Sequence, residues 1–219
     1  MWKMILPISG FLLIINKKAL CSERLNRIDL ETPSDEYINL LIKRKSKRNY
    51  TKKFITLKEL SYILYAANAR TPKGNRTTPS AGALYPVDLY INVNKVIGLN
   101  KGMYYYNPRY HYITPIKYGD FSNSLFLSTF KQTWVKDASI NIIMCYTIER
   151  MKPRYGDKAL NYAYIEAGHI SQNILLAVTK LELGAVPVGA FDNNSILNLF
   201  AFNENEKVIL YINSIGNIK

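Results

Sequence analysis

The chain has 219 residues, 48% hydrophobic and 21% charged, the profile of one ordinary globular domain, and this excludes a disordered or fibrous chain. Its 29 basic and 16 acidic residues give a net charge of +13, which attracts nucleic acid, an anionic membrane surface or an anionic cofactor. The basic residues are scattered and form no patch interleaved with aromatics, so no nucleic-acid partner is expected; Cys21 and Cys145 share no CxxC or ligand spacing, so no metal is expected either, and a reducing, cytoplasmic compartment fits best.

Residues 1–31 read as an N-terminal extension. Lys3 is followed by an uncharged apolar run over residues 4–15 and then by Lys17 and Lys18. About twelve residues is too short to span a bilayer but suits an interfacial segment or a signal-peptide core. The cleavage pattern around Ala19 and Cys21 is poor. If the run touches a membrane, the lysine pair favours a cytoplasmic domain behind it; an apolar arm packed on a dimer accounts for it equally well.

Residues 32–219 carry the domain. Thr32-Pro33-Ser34-Asp35 supplies an N-cap, a proline at the first helical position and early negative charge. The pattern predicts a helix over residues 33–43, with Tyr37, Leu40 and Leu41 on its buried face. A capping box at Thr56 and Glu59 opens a second helix, carried by Leu57, Leu60, Ile63, Leu64 and Ala67. Residues 70–86, with three prolines and two glycines, form a long loop. Val87, Leu89, Ile91 and Val93 alternate with Asp88, Tyr90 and Asn92, the period of a half-buried strand. Two tyrosine-rich strands follow, then a helix near Asp120 with Leu125, Phe126 and Phe130. A continuous strand is expected over residues 138–147. The longest helical pattern covers residues 157–183, with Ile165, Ile170, Ile174, Leu175 and Val178 apolar and Gly184 ending it. A strand through Val186, Val188 and Ala190, a short helix near Asn194 and a strand over residues 208–212 complete the chain. No βαβ alternation and no GxGxxG fingerprint occur, which argues for α+β with a mainly antiparallel sheet and against a Rossmann nicotinamide site.

Three segments carry chemistry. In Arg44-Lys45-Ser46-Lys47-Arg48, alternate residues Arg44, Ser46 and Arg48 project to one side of an extended chain, and two guanidinium forks flanking a hydroxyl suit a phosphate and its polyol. A basic run after a helix also serves as a solvated helix end. Pro79-Ser80-Ala81-Gly82-Ala83-Leu84-Tyr85-Pro86 is a small-residue loop that lets backbone approach a flat ligand, or a tight connection without one. Leu183-Gly184-Ala185-Val186-Pro187-Val188-Gly189-Ala190-Phe191 has the same character and can offer N–H groups to a ring.

In order and spacing these segments resemble the nitroreductase superfamily. Tyr155-Gly156-Asp157 and Glu166-Ala167-Gly168-His169-Ile170-Ser171-Gln172-Asn173 make the resemblance nearest to the dehydrogenases that oxidise thiazolines and oxazolines in peptide biosynthesis. It covers about residues 33–216. The resemblance implies a nitroreductase-like α+β fold, a homodimer formed through long helices, and flavin mononucleotide (FMN) at two interface sites. By position, Arg44, Ser46 and Arg48 would hold the phosphate, ribityl chain and pyrimidine edge. Pro79, Ser80, Ala81, Gly82 and Leu84 would come from the partner subunit. Pro187, Val188, Gly189 and Ala190 would bring a backbone N–H near flavin N5. Tyr155, Lys158 and Tyr162 fall where relatives place active-site residues; a solvated role suits Lys158 as well. His169 and Glu166 read as structural, in close helix packing around Gly168 at an interface. Many relatives place a phosphate-gripping arginine near the C-terminus, where this chain has Asn217, so Lys219 or a neighbouring lysine would have to supply the charge. The expected activity is an FMN-dependent oxidoreductase passing hydride through N5, acting on azoline rings of a peptide or, with NAD(P)H as donor, on nitro or quinone acceptors. A flavin-binding protein without catalysis is the remaining alternative.

Overall fold

The computed structural model describes residues 28–218, so the apolar run at residues 4–15, Cys21 and Lys219 lie outside the described residues. The chain divides into two units, residues 1–38 and 39–219, each taken by itself. In the first, the Asp35 carboxylate accepts the Ile38 N–H at 2.8 Å and starts helix α1, Glu36–Lys43. The cap is therefore Asp35 and not Thr32, and the helix begins three residues later than expected. Tyr37, expected on a buried face, is 61% exposed, and no residue of α1 is fully buried.

The second unit is built on a six-stranded sheet in the order β3-β2-β1-β4-β6-β5, comprising β1 Val87–Val93, β2 Gly102–Asn107, β3 Tyr112–Tyr118, β4 Ile140–Thr147, β5 Gly184–Val188 and β6 Lys207–Gly216. Every neighbouring pair is antiparallel. The expected α+β class with a mainly antiparallel sheet is what the chain adopts. Two helices, α2 Leu57–Asn68 and α6 Ala159–Lys180, pack on one face through Leu60, Ile63, Leu64, Ile170, Ile174 and Val178 against Leu89, Ile91 and Ile142. The other face is covered by α3 Ser122–Ser128, α4 Thr133–Asp137 and α7 Asn193–Phe200, whose Leu125, Val135, Leu197 and Phe200 meet Tyr90, Ile143 and Ile212. A single turn, α5 Lys152–Tyr155, precedes α6.

This double cover corrects the half-buried reading of β1, which is buried at all seven positions. The alternation is real, but its polar members face a second core. Asp88 is accommodated there because Arg150 forks onto its carboxylate at 2.8 and 3.0 Å, with the Thr147 hydroxyl donating at 2.7 Å. The Thr56 capping box forms as expected, Thr56 accepting the Glu59 N–H and Glu59 accepting the Thr56 N–H, although Leu57 is half-exposed.

Helix α6 is shorter than its pattern. It closes at Lys180, Leu181 N–H donating to Ala177 and Leu183 N–H to Val178, with Glu182 in the left-handed region (φ 57°), so Gly184 opens β5 instead of ending the helix. Ile165 is 55% exposed because it lies five residues before Ile170, about 140° round the helix. Phe130 follows α3 at φ 53° and is exposed. Strand β6 is twice as long as expected, and its pairing with β4 shifts at Met144 and Cys145 to admit Leu210 as a bulge. Among the described residues no helix is long and apolar enough to cross a membrane.

Candidate functional site

Residues 44–48 leave α1 in extended form and lie along β5. Ser46 pairs in parallel with Ala185, and the Lys47 N–H donates to the Ala185 carbonyl at 2.8 Å. Alternation therefore sets Arg44, Ser46 and Arg48 apart from Lys45 and Lys47. Tyr50 fixes this placement: its hydroxyl lies 2.8 Å from the Ser214 carbonyl and 2.9 Å from the Lys47 carbonyl, and one hydrogen serves both. Burial pushes the Tyr50 phenol well above its ordinary range, keeping it a donor. Glycine makes the fit possible. A Cβ at Gly216 would stand 2.7 to 2.9 Å from Tyr50 side-chain atoms, and one at Gly184 would strike Ile218 and the Lys47 side chain. Arg48 covers the Trp134 ring at 5.3 Å. Beyond β5, Gly189 and Ala190 are exposed, and the Ala190 carbonyl is held by Gln132 Nε2 at 2.8 Å. The first and third motifs thus lie side by side in one protomer.

The middle motif is elsewhere. Residues 79–86 make a 3-10 turn, Ala81–Ala83, closed by the Tyr85 N–H donating to Ser80 Oγ at 2.8 Å. Gly82, Ala83 and Tyr85 have φ of 62°, 54° and 48°, strain that only a glycine relieves at no cost. Thr78 donates to Ala67 of α2 at 2.6 Å, and Asn173 of α6 donates to Thr78 Oγ1 at 3.0 Å, so two helices tether the loop. The Arg76 guanidinium sits 4.4 Å above the Tyr85 ring. A Cβ on Gly82 would stand 2.8 Å from both Arg154 Nη1 and the Tyr155 hydroxyl, so these side chains close directly over the loop. Tyr155 packs edge-on against Tyr162 at 4.9 Å. Lys158, at the end of the turn Gly156–Lys158, is exposed and its side chain makes no hydrogen bond or ion pair among the described residues. Tyr155 is therefore brought to the middle motif, and Lys158 is not.

Glu166, expected to be structural in helix packing, is 2% exposed, and neither carboxylate oxygen closes a hydrogen bond of full geometry among the described residues. Burial pushes its carboxyl up to about 7, while Ser80, the Val87 N–H, Arg76 and Arg150 oppose the shift without undoing it. His169 and Gly168 lie on the exposed side of α6, and no described residue approaches within 4 Å of a Cβ placed on Gly168. The close packing expected there has no counterpart among the described residues. Asn217 is buried, its carbonyl accepting the Thr51 N–H at 2.7 Å. Sequence reasoning missed Arg76, Arg150 and Arg154; their spacing carries no periodic signal, and only folding gathers them around residues 79–88.

The two assemblies stand far apart. Ala185, Ile215, Ile140 and Val93 form one row across the sheet, whereas the middle motif enters at Val87. Six residues along β1 and three strand spacings amount to roughly 20 Å by 14 Å. Within one protomer these motifs do not converge.

The nitroreductase family model matches residues 41–217. A nitroreductase-like protein of Methanocaldococcus jannaschii, MJ1384, is 40% identical over 181 residues, 81% of this chain and 91% of that protein. Among solved structures, a nitroreductase-like protein of Ralstonia eutropha superposes with a TM-score of 0.75 at 23% identity over 88% of each chain. The Escherichia coli microcin synthetase McbBCD complex with truncated pro-MccB17 matches at 0.69 and 17% identity, over 100% of this chain and 85% of the matched one. A nitroreductase-like protein of Desulfovibrio desulfuricans, solved with FMN, matches at 0.60 and 19%, over 84% and 87%. With its fold, its motifs and a close relative in agreement, the chain belongs to the nitroreductase family.

Proposed function

We propose that this protein is an FMN-dependent oxidoreductase that works as a homodimer. The observation that carries the reading is the register of Ser46 on Ala185, which sets a phosphate-competent arginine pair beside the backbone that leads to Pro187, Val188, Gly189 and Ala190. Arg44, Ser46 and Arg48 would hold the phosphate and ribityl chain, and the exposed Gly189 and Ala190 would face the ring. The missing C-terminal arginine leaves the phosphate to these two guanidiniums and the nearby lysines. Pro79, Ser80, Ala81, Gly82 and Leu84 lie too far away in the same chain, so a second copy supplies them. The exposed side of α6, with Leu160, Tyr164, Ile165 and an open Gly168, offers an apolar surface for that copy.

Bound there, the flavin supplies a hydride acceptor and donor. The protein binds and orients it and handles the substrate's proton. Tyr155, whose hydroxyl lies against Gly82, is better placed for that task than Lys158. Oxidation of azoline rings in a peptide is the reading we favour, supported by the motif from Glu166 to Asn173 and by the likeness to the microcin synthetase complex. NAD(P)H-dependent reduction of nitro or quinone acceptors is the alternative within the family.

Flavin released by heat should co-elute with FMN, about one per chain, in a protein that light scattering reports as a dimer; a flavin-loaded monomer would refute the shared site. In stopped flow, Tyr155→Phe should slow substrate oxidation by roughly a hundredfold. Reduction of the flavin by a nicotinamide donor should hardly change, since it requires no side-chain base. Equal loss in both half-reactions would point to a damaged flavin site.

A further inference from the structure

We propose that Glu166 is a positioning residue whose carboxyl, acting through Arg76 and Ser80, sets the pose of residues 79–85 and thereby that loop's grip on FMN. This rests on the flavin reading above. Three observations on different elements carry it. Glu166 is 2% exposed on α6, and its two oxygens close no hydrogen bond of full geometry among the described residues, with the Ser80 hydroxyl and the Val87 N–H within reach. The groups that face it belong to the loop and its roots: Arg76 and Ser80, the Val87 N–H, and Arg150 from the turn after β4. The same two loop groups hold the loop's shape, Arg76 by covering the Tyr85 ring at 4.4 Å and Ser80 by accepting the Tyr85 N–H at 2.8 Å.

The two protonation states of Glu166 therefore demand different things of the loop. A neutral carboxyl leaves Arg76 on Tyr85 and Ser80 as the acceptor for its N–H. An ionised, buried carboxylate cannot stay without a partner and recruits the nearest cation or donor. Arg150 is committed to Asp88, itself shared with Lys207 at 3.5 Å. Arg76 carries no ion pair among the described residues and is the available cation, and Ser80 is the available hydroxyl. Ser80 can donate its hydroxyl hydrogen to Glu166 while its oxygen still accepts the Tyr85 N–H, whereas drawing Arg76 toward Glu166 removes its cover from Tyr85, which is held at φ 48°. Burial holds the carboxyl at about 7, so the exchange falls within the neutral range.

The experiment uses the full-length protein, wild type and Glu166→Gln, from pH 6 to pH 8.5. Dissociation constants for FMN come from quenching of flavin fluorescence, and amide hydrogen exchange of residues 79–85 is followed in flavin-free protein after correction for intrinsic rates. Wild-type affinity should weaken at least fivefold across this range relative to the variant, in which titration of the flavin phosphate is retained and that of Glu166 is not. Protection of residues 79–85 should fall in parallel in the wild type alone. Superimposable pH profiles for both proteins overturn the proposal, as does wild-type protection that is the same at pH 6 and pH 8.5. Absence of FMN binding at any pH sinks the flavin reading instead, and hydrogen exchange then still decides whether Glu166 sets the loop.

Discussion

Glu166→Gln also makes a thermodynamic prediction that needs no ligand. Burial raises the carboxyl from an ordinary 4.5 to about 7. An acid with a raised folded-state value keeps its proton longer when folded than when unfolded, so the folded chain binds more protons between about pH 4.5 and pH 7. Stability is therefore fullest at the acid end of that window, falls as pH rises through it, and levels off above pH 7. At 1.36 kcal/mol per unit the window amounts to about 3 kcal/mol, of which about 2.5 kcal/mol falls between pH 5 and pH 8. Glutamine keeps the shape and does not titrate. Its buried carboxamide adds an offset that is constant with pH and cancels in the comparison. Between pH 5 and pH 8 the wild type should lose about 2.5 kcal/mol more than the variant in urea unfolding, or about 5 to 10 °C more in Tm. Parallel stability curves would refute the reasoning, because they would mean that the carboxyl is solvated or already paired.

Other perturbations test the ties around the two motifs. Arg48→Ala should weaken FMN binding by about 1.5 to 3 kcal/mol in fluorescence titration, the scale of a charge-assisted bond to phosphate; an unchanged dissociation constant would move the phosphate elsewhere. Gly216→Ala, which thrusts a methyl group to within 2.7 Å of the Tyr50 side chain, should cost about 1 to 3 kcal/mol in urea unfolding and loosen residues 44–50 in hydrogen exchange. Arg150→Ala strips the two-pronged contact from a carboxylate that is 5% exposed, and should cost about 3 kcal/mol at neutral pH, reduced to the extent that Lys207 closes in.

Much of this protein is legible in its sequence because the information is local. The capping box at Thr56, the alternation in β1 and the long apolar pattern of α6 each rest on side chains a few residues apart, and each produced its element. The extended form of residues 44–48 was legible for the same reason. Two boundaries moved a few residues between neighbouring local signals: Asp35 capped α1 in place of Thr32, and Glu182 took the left-handed position expected to fall to Gly184. A neighbour in space decided the other difference, since the polar side of β1 was buried because α3, α4 and α7 cover it. The chemistry divides along the same line. Arginines, small-residue loops and their order along the chain identified the family, since each motif is contiguous. That Ser46 lies on Ala185, that Gly82 lies under Tyr155, that these assemblies stand apart across the sheet, and that Glu166 is buried facing Ser80 and Arg76 were decided by tertiary structure. Strand order and helix docking bring together residues about 70 to 140 positions apart, and no periodicity within a window of the chain encodes that juxtaposition.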